Sequence, residues 1–131
     1  MNNAVLVVDD NIDLCRTLSR LLRHMGFIAD WALSGQEALS QLKKNKPALI
    51  LLDYMMPNMD GLEVLAQVKS DARTAQIPVV MLTAVADAAT KEKAIKTGAS
   101  GYWIKGQFNY DQLRADVAKY VPGAAPDVHL N

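Results

Sequence analysis

Five short apolar runs alternate with longer stretches of helical periodicity along this chain of 131 residues. The apolar runs are nearly continuous, which is typical of strands buried on both faces of a parallel sheet. The stretches between them are long enough to form helical crossovers that return the chain to the same end of the sheet. The predicted strands are Ala4–Val8, Phe27–Ala32, Ala48–Leu52, Val79–Thr83 and Tyr102–Ile104. This pattern predicts an α/β domain with helices on both faces of the sheet.

Polar residues and glycines mark where the intervening helices begin and end. Ser34 and Glu37 form a capping box, in which each side chain satisfies a backbone N–H of the other residue. Asp60 and Asn109 are the predicted caps of two later helices, and Gly98 is the predicted end of the helix before the fifth strand. With the helix after the first strand, these signals predict five helices.

The composition limits the classes of protein to which the chain can belong. Its 14 basic and 14 acidic residues give a formal net charge of zero, so we expect neither a nucleic-acid nor a membrane partner. A single cysteine, Cys15, cannot form an internal disulfide and favours a reducing compartment. The N-terminus lacks a secretory signal, and no apolar run approaches the roughly 20 residues of a membrane helix. We therefore expect a cytoplasmic protein, with a domain at residues 1–121 and a flexible tail or linker at residues 122–131.

Charged and hydroxyl side chains stand where four of the predicted strands end. Asp9 and Asp10 follow the first strand, Asp53 the third and Lys105 the fifth, while Thr83 is the last residue of the fourth. Right-handed crossovers place the carboxyl ends of all parallel strands at one edge, where ligands of such sheets bind. The sequence therefore predicts that these five side chains converge.

Carboxylates gathered in this way repel one another. Two of them about 4 Å apart repel by roughly 1 kcal/mol in water and about 4 kcal/mol at an intermediate dielectric. Three oxygen ligands suit Mg²⁺, which keeps several waters and completes its shell with phosphate oxygen. A carboxylate beside such an ion can attack phosphorus, and Thr83 and Lys105 could hold the phosphoryl oxygens.

Four motifs, VVDDN, DYMMPNMDG, MLTA and GYWIK, occur in this order at the ends of strands one, three, four and five. In this arrangement the sequence, from about Ala4 to Tyr120, resembles the receiver domain of bacterial two-component response regulators, in particular the chemotaxis-regulator type. The resemblance implies a flavodoxin-like, doubly wound sheet of five parallel strands in the order 2-1-3-4-5, with five helices.

The resemblance also implies roles for the residues at the sheet edge. Asp53 would accept a phosphoryl group from a histidine kinase or a histidine phosphotransfer protein. Mg²⁺ would be bound directly by Asp10, through water by Asp9, and by Asp53 and the backbone carbonyl of Met55. The domain would not be an enzyme for an external substrate, because it would catalyse only its own phosphorylation and dephosphorylation.

A switch from this site to the protein surface is implied as well. Thr83 and Lys105 would bond the phosphoryl group, and Tyr102 would turn inward on activation. The face formed by helix 4, strand 5 and helix 5 would then change its preference for a downstream effector protein.

The sequence departs from the family pattern after the lysine, where a proline is usual. Gly106 follows Lys105, and we expect a loop that is one residue longer, with Phe108 in the packing role. We also expect a trans Lys105–Gly106 bond, because a cis bond before a residue other than proline costs about 2.5–4 kcal/mol.

Three other functions are alternatives to this interpretation. A flavin-binding protein of this topology needs a loop of hydrogen-bond donors after strand one to hold the phosphate of the flavin. The chain has Asp9, Asp10 and Asn11 there, and the two carboxylates would repel a phosphate. A phosphatase of the haloacid dehalogenase type needs an acid two residues after the nucleophile, where Met55 stands. A degenerate receiver that acts as a phosphate-independent protein-interaction module stays open as the alternative.

Overall fold

The computed structural model describes residues 2–84, 87–107 and 109–121. Within them, β1 (Ala4–Val8), β2 (Ile28–Ala32), β3 (Leu49–Leu52), β4 (Val79–Thr83) and β5 (Gly101–Ile104) form one parallel sheet. The helices are α1 (Ile12–His24), α2 (Gly35–Lys44), α3 (Gly61–Ser70), α4 (Ala88–Thr97) and α5 (Tyr110–Tyr120). The strand order β2-β1-β3-β4-β5 confirms the predicted order. The expected packing role of Phe108 and the expected tail at residues 122–131 lie outside the described residues.

Two apolar clusters, one on each face of the sheet, form the core. Val5 and Val7 of β1 pack in the cluster that contains α1 and α5, whereas Leu6 and Val8 pack in the cluster that contains α2, α3 and α4. All residues of β3 and β4 are buried, and so is β1 after Ala4. Burial on both faces explains the continuous apolar runs of the sequence, because neither face of these strands meets water.

The two edge strands are less buried than the three central ones. In β2, Ile28 is 58% exposed and Asp30 is also exposed. In β5 every residue is half-buried. Tyr102 packs on the cluster that contains α2, α3 and α4, and Trp103 packs on the cluster that contains α1 and α5. The structure thereby assigns the faces of these two aromatic residues, which the sequence left open.

Side-chain caps begin the helices largely as predicted. Asp60, Asp87 and Asn109 each accept a hydrogen bond from the backbone N–H three residues later. Ser34 accepts from the backbone N–H of Glu37 at 3.1 Å, but the Glu37 carboxylate accepts from the N–H of Leu33, at 3.4 Å, rather than from Ser34. The reciprocal half of the predicted capping box was therefore wrong by one residue.

Candidate functional site

Three carboxylates meet at the carboxyl edge of the sheet. One oxygen from each of Asp9, Asp10 and Asp53 lies within 4.8 Å of the others. Asp9 and Asp53 are buried, whereas Asp10 is exposed. The backbone N–H of Asp53 donates to the carbonyl of Val8 at 2.9 Å, which extends the β1–β3 pairing by one residue and holds Asp53 beside Asp9. The parallel ladder itself therefore brings these carboxylates together.

Asp9 is fixed by contacts on both its backbone and its side chain. Its N–H donates to the carbonyl of Ala32 at 3.1 Å, and its Oδ1 accepts from the N–H of Asn11 at 2.9 Å. The Cys15 thiol donates to the Asp9 carbonyl at 3.4 Å. Burial, together with the charge of Asp9, raises the pKa of Cys15 to about 11, so this thiol stays protonated.

The ammonium of Lys105 bridges two of the carboxylates. Its Nζ lies 2.7 Å from Asp9 Oδ2 and 3.4 Å from Asp53 Oδ2. The lysine is positioned by its backbone N–H, which donates to the carbonyl of Thr83 at 2.8 Å. Gly106, which follows, has a φ of +82°, a left-handed conformation that glycine adopts readily. The described residues contain no cis peptide bond, so the Lys105–Gly106 bond is trans as expected.

The charges of the site shift the pKa values of its members. Burial, followed by the charge of Asp9, raises the pKa of Asp53 to about 6, although Lys105 and a hydrogen bond from the Met55 backbone act in the opposite direction. Burial alone would lower the pKa of Lys105, but its contacts with Asp9 and Asp53 raise it. Three carboxylates and one ammonium leave an excess of two negative charges, which a divalent cation would neutralise.

The loop after β3 approaches the backbone of Asp53 and Tyr54 closely at Gly61. The N–H of Gly61 donates to the carbonyl of Tyr54 at 2.7 Å, and a Cβ added at Gly61 would lie 2.2 Å from the Asp53 carbonyl oxygen. Asn58 in this loop has a φ of 71°. The Met55 side chain is 62% exposed, so it is available at the surface rather than packed in the core. Glycine at position 61 is therefore a steric requirement of this loop.

The two predicted switch residues occupy the same face of neighbouring strands. Thr83 is fully buried at the end of β4. Tyr102 pairs in register with Met81, which is two residues before Thr83 on β4 and therefore on the same face. Burial, together with the charge of Asp87, raises the pKa of the half-buried Tyr102. Thr83 and Tyr102 therefore share one face of the β4–β5 pair.

The structure brings together most of the residues that the sequence nominated. Asp9, Asp10, Asp53 and Lys105 form one cluster, Thr83 ends the strand between Asp53 and Lys105, and Tyr102 lies further back along β5. Sequence reasoning missed Asn11, which caps α1 by accepting from two backbone N–H groups and also donates its own N–H to Asp9. Its position just before the first helical stretch was the available signal.

Comparison with known proteins places this fold and site in a family. Residues 5–118 match the model of the response regulator receiver domain. The chain therefore belongs to the response regulator receiver domain family, which acts in two-component signalling. Receiver domains of this family generally bind Mg²⁺ and interact with a histidine kinase or phosphotransfer protein and with an effector.

Individual relatives agree with this assignment. The chain is 40% identical over 118 residues to the transcriptional regulatory protein ZraR of Escherichia coli K12, covering 90% of this chain and 26% of ZraR. It is 32% identical over 120 residues to the transcriptional regulatory protein CrdR of Helicobacter pylori, covering 92% of this chain and 55% of CrdR. The solved structure of chemotaxis protein CheY4 of Vibrio cholerae matches with a TM-score of 0.85 and 29% identity, covering 92% of this chain and 99% of that one. The chain thus spans only part of the length of ZraR and CrdR.

Among the described residues, no helix has the length and apolar character needed to cross a membrane.

The raised pKa of Asp53 predicts a pH-dependent stability for the metal-free protein. A carboxyl whose pKa is higher in the folded state contributes stability that is fully present below the unfolded pKa and is lost as the pH rises through the folded pKa, here about 6. Relative to Asp53→Asn, the wild type should therefore lose on the order of 1–3 kcal/mol between about pH 4 and about pH 8. Urea unfolding of both proteins in a chelator, across this range, measures the difference. A constant difference would mean that Asp53 titrates normally.

The close approach at Gly61 predicts that a single methyl group is poorly tolerated there. Gly61→Ala places a Cβ against the backbone of Asp53, which cannot rotate away, and should lower the free energy of unfolding by about 1–3 kcal/mol. Gly101→Ala is the matched control, because the nearest atoms to its Cβ would be side-chain atoms, the Tyr120 hydroxyl at 3.2 Å and the Val80 methyl groups at 3.5 and 3.6 Å. Urea midpoints of the two variants test this, and equal midpoints would contradict the steric argument.

Proposed function

We propose that this receiver domain accepts a phosphoryl group on Asp53 from a histidine kinase or a histidine phosphotransfer protein. The observation that carries the proposal is the cluster of three carboxylates bridged by Lys105 at the carboxyl edge of the sheet. Residues 1–121 act as the receiver unit in the cytoplasm, and residues 122–131 are a tail or linker.

Asp53 is a better nucleophile than Asp9, the other buried carboxylate of the site. Both oxygens of Asp9 are engaged, Oδ1 by the N–H of Asn11 at 2.9 Å and Oδ2 by Lys105 at 2.7 Å. Asp53 has the looser contact with Lys105, 3.4 Å, and directly follows β3, the strand that pairs with β4 and its last residue, Thr83. With a pKa of about 6, its carboxylate is mostly ionised near neutral pH and so carries the electron pair that attacks phosphorus.

The donor set of the site fits Mg²⁺. Asp9, Asp10, Asp53 and the carbonyl of Met55 offer only oxygen atoms, and the excess of two negative charges matches one divalent cation. When bound, the ion supplies positive charge against the oxygens of the transferring phosphoryl group. The remaining chemistry falls to side chains of the chain itself.

The transfer step exchanges one bond to phosphorus for another. An oxygen of Asp53 forms the new P–O bond while the P–N bond to the donor histidine breaks, and the imidazole nitrogen leaves with the electron pair and takes up a proton. The ammonium of Lys105 and the hydroxyl of Thr83 then donate to the phosphoryl oxygens. Catalysis is thus limited to the domain's own phosphorylation and dephosphorylation.

Phosphorylation switches the surface through residues on one face of the sheet. Thr83 moves toward the phosphoryl group, and Tyr102 follows into the space along β4 and β5. The face formed by α4, β5 and α5 then gains affinity for an effector protein. Support for this sequence of events comes from the shared face of Thr83 and Tyr102 and from the partial exposure of Tyr102 at rest.

The central test is chemical phosphorylation in the absence of a kinase. Incubation with Mg²⁺ and acetyl phosphate should give a base-labile mass increase that peptide mapping locates on Asp53. Asp53→Asn should abolish the increase, whereas Asp30→Asn, the same change at an exposed site on β2, should leave it intact. A wild-type protein that is folded but gains no mass would favour the phosphate-independent interaction module instead.

Metal binding makes a separate prediction about stability. Mg²⁺ should raise the melting temperature of the wild type, because it neutralises the carboxylates of the folded state only. The rise should be much smaller in Asp10→Asn and unchanged in Asp30→Asn. Potassium chloride at the same ionic strength is the control for general screening, and an equal rise with this salt would contradict a specific site.

The exposed Met55 predicts a long-lived phosphoryl group. Hydrolysis needs a water aligned behind phosphorus, and an apolar side chain two residues after Asp53 offers such a water no hydrogen bond. We expect the same effect from Val85, two residues after Thr83 in the sequence, which lies outside the described residues. Met55→Asn and Met55→Glu should therefore speed the loss of phosphate several-fold. Mass spectrometry at intervals after removal of the phosphodonor measures this loss. Unchanged or slower loss, with Met55→Leu as the apolar control, would overturn this shielding role.

A further inference from the structure

A basic groove lies on the surface away from the acidic site. Arg16, Arg20 and Arg23 of α1, together with Trp31 of β2, line an open groove of about 320 Å³. The arginines are spaced i, i+4 and i+7, so they fall within an arc of about 60° on the helix. All three arginines are exposed, and Trp31 is half-buried against the apolar cluster that contains α1 and α5.

The positive charge of the basic groove is not neutralised within the described part of the chain. There, no carboxylate oxygen lies within 4.0 Å of any of the three guanidinium groups. Asp13 lies one turn before Arg16 on the same side of α1. Its single negative charge and the three arginines together leave a net charge of two positive units. Asp30, although adjacent to Trp31 in sequence, points to the opposite face of the sheet. Since the whole chain has a net charge of zero, this concentration of charge is local.

Two of the four residues that line the basic groove, Arg23 and Trp31, are held by hydrogen bonds at the edge of β2. Arg23 Nη2 donates to the carbonyl of Ala29 at 2.8 Å, and Gln41 Nε2 donates to the carbonyl of Trp31 at 3.0 Å. These two carbonyls alternate with the residues that pair with β1, so they point outward from the sheet. Arg23 and Trp31 therefore lose little conformational freedom when the basic groove binds a partner.

We propose that the basic groove binds an acidic helix of a protein partner, with carboxylates at the same i, i+4, i+7 spacing. Successive arginines are separated by about 6 Å and 4.5 Å along α1, and an adjacent helix repeats these separations. Guanidinium groups bind carboxylates bidentately, and the Trp31 ring offers an apolar surface between them. A nucleic acid fits less well, because a chain of zero net charge exerts no long-range attraction on a polyanion. This binding is independent of phosphorylation at Asp53.

The test uses the full ¹⁵N-labelled chain and a synthetic probe. The probe is a capped, alanine-based helical peptide with three glutamates spaced i, i+4 and i+7. The control peptide has the same composition, with its glutamates spread around the helix. We expect saturable shifts of the Trp31 indole N–H and the α1 amides, and binding at least fivefold tighter for the probe than for the control peptide.

Matched variants separate the basic groove from general electrostatics. Arg16→Gln with Arg20→Gln should weaken probe binding at least fivefold, while Lys43→Gln with Lys44→Gln, which also removes two exposed positive charges, should change it less than twofold. Spectra of both variants show whether the fold is retained. Equal binding of the two peptides, an unaffected arginine variant, or no shift at millimolar probe would overturn the proposal. Tighter binding of a DNA duplex through the same residues would assign the groove to nucleic acid instead.

Discussion

Repulsion among three carboxylates held at one sheet edge is the constraint on which the rest of this structure depends. Asp9 and Asp53 are buried, so their charges are poorly screened, and only a rigid scaffold can keep them adjacent. The scaffold consists of β1 and β3, whose residues pack in cores on both faces of the sheet. The ammonium of Lys105 offsets part of the repulsion at 2.7 Å and 3.4 Å. The fold therefore stabilises an arrangement that the isolated side chains would avoid.

Much of this arrangement could be predicted from the sequence, because the parallel topology leaves few choices. Continuous apolar runs require burial on both faces, and right-handed crossovers then place every carboxyl end at one edge. The positions of Asp9, Asp10 and Asp53 follow from where the apolar residues of two strands, β1 and β3, stop. In the loop after β3, Gly61 is the residue that lets the backbone approach Asp53. Prediction succeeded for the three aspartates because topology and the ends of the apolar runs determine their positions together.

Other features depend on distances that no local pattern encodes. Adjacent strands are about 4.8 Å apart, so Lys105 of β5 must reach past β4 to meet carboxylates that follow β3 and β1. Whether it does so depends on how the chain turns at Gly106. Similarly, alternation places Tyr102 and Trp103 on opposite faces but does not state which face carries which residue. The basic groove was invisible for the same reason, because Trp31 joins the arginines of α1 only through the packing of that helix on β2.

The engagement of Lys105 at rest bears on how the proposed switch would work. A phosphoryl group on Asp53 would replace one carboxylate charge with about two negative charges, and it would compete with Asp9 for the same ammonium. Asp9 is buried and would be left without its partner if Lys105 moved toward the phosphoryl oxygens, which is unfavourable unless another cation remains beside it. Phosphorylation and cation binding would therefore be coupled through the position of one side chain. Because the lysine is attached to β5, any displacement of its ammonium also acts on the strand that carries Tyr102, and so on the surface that the proposed effector would contact.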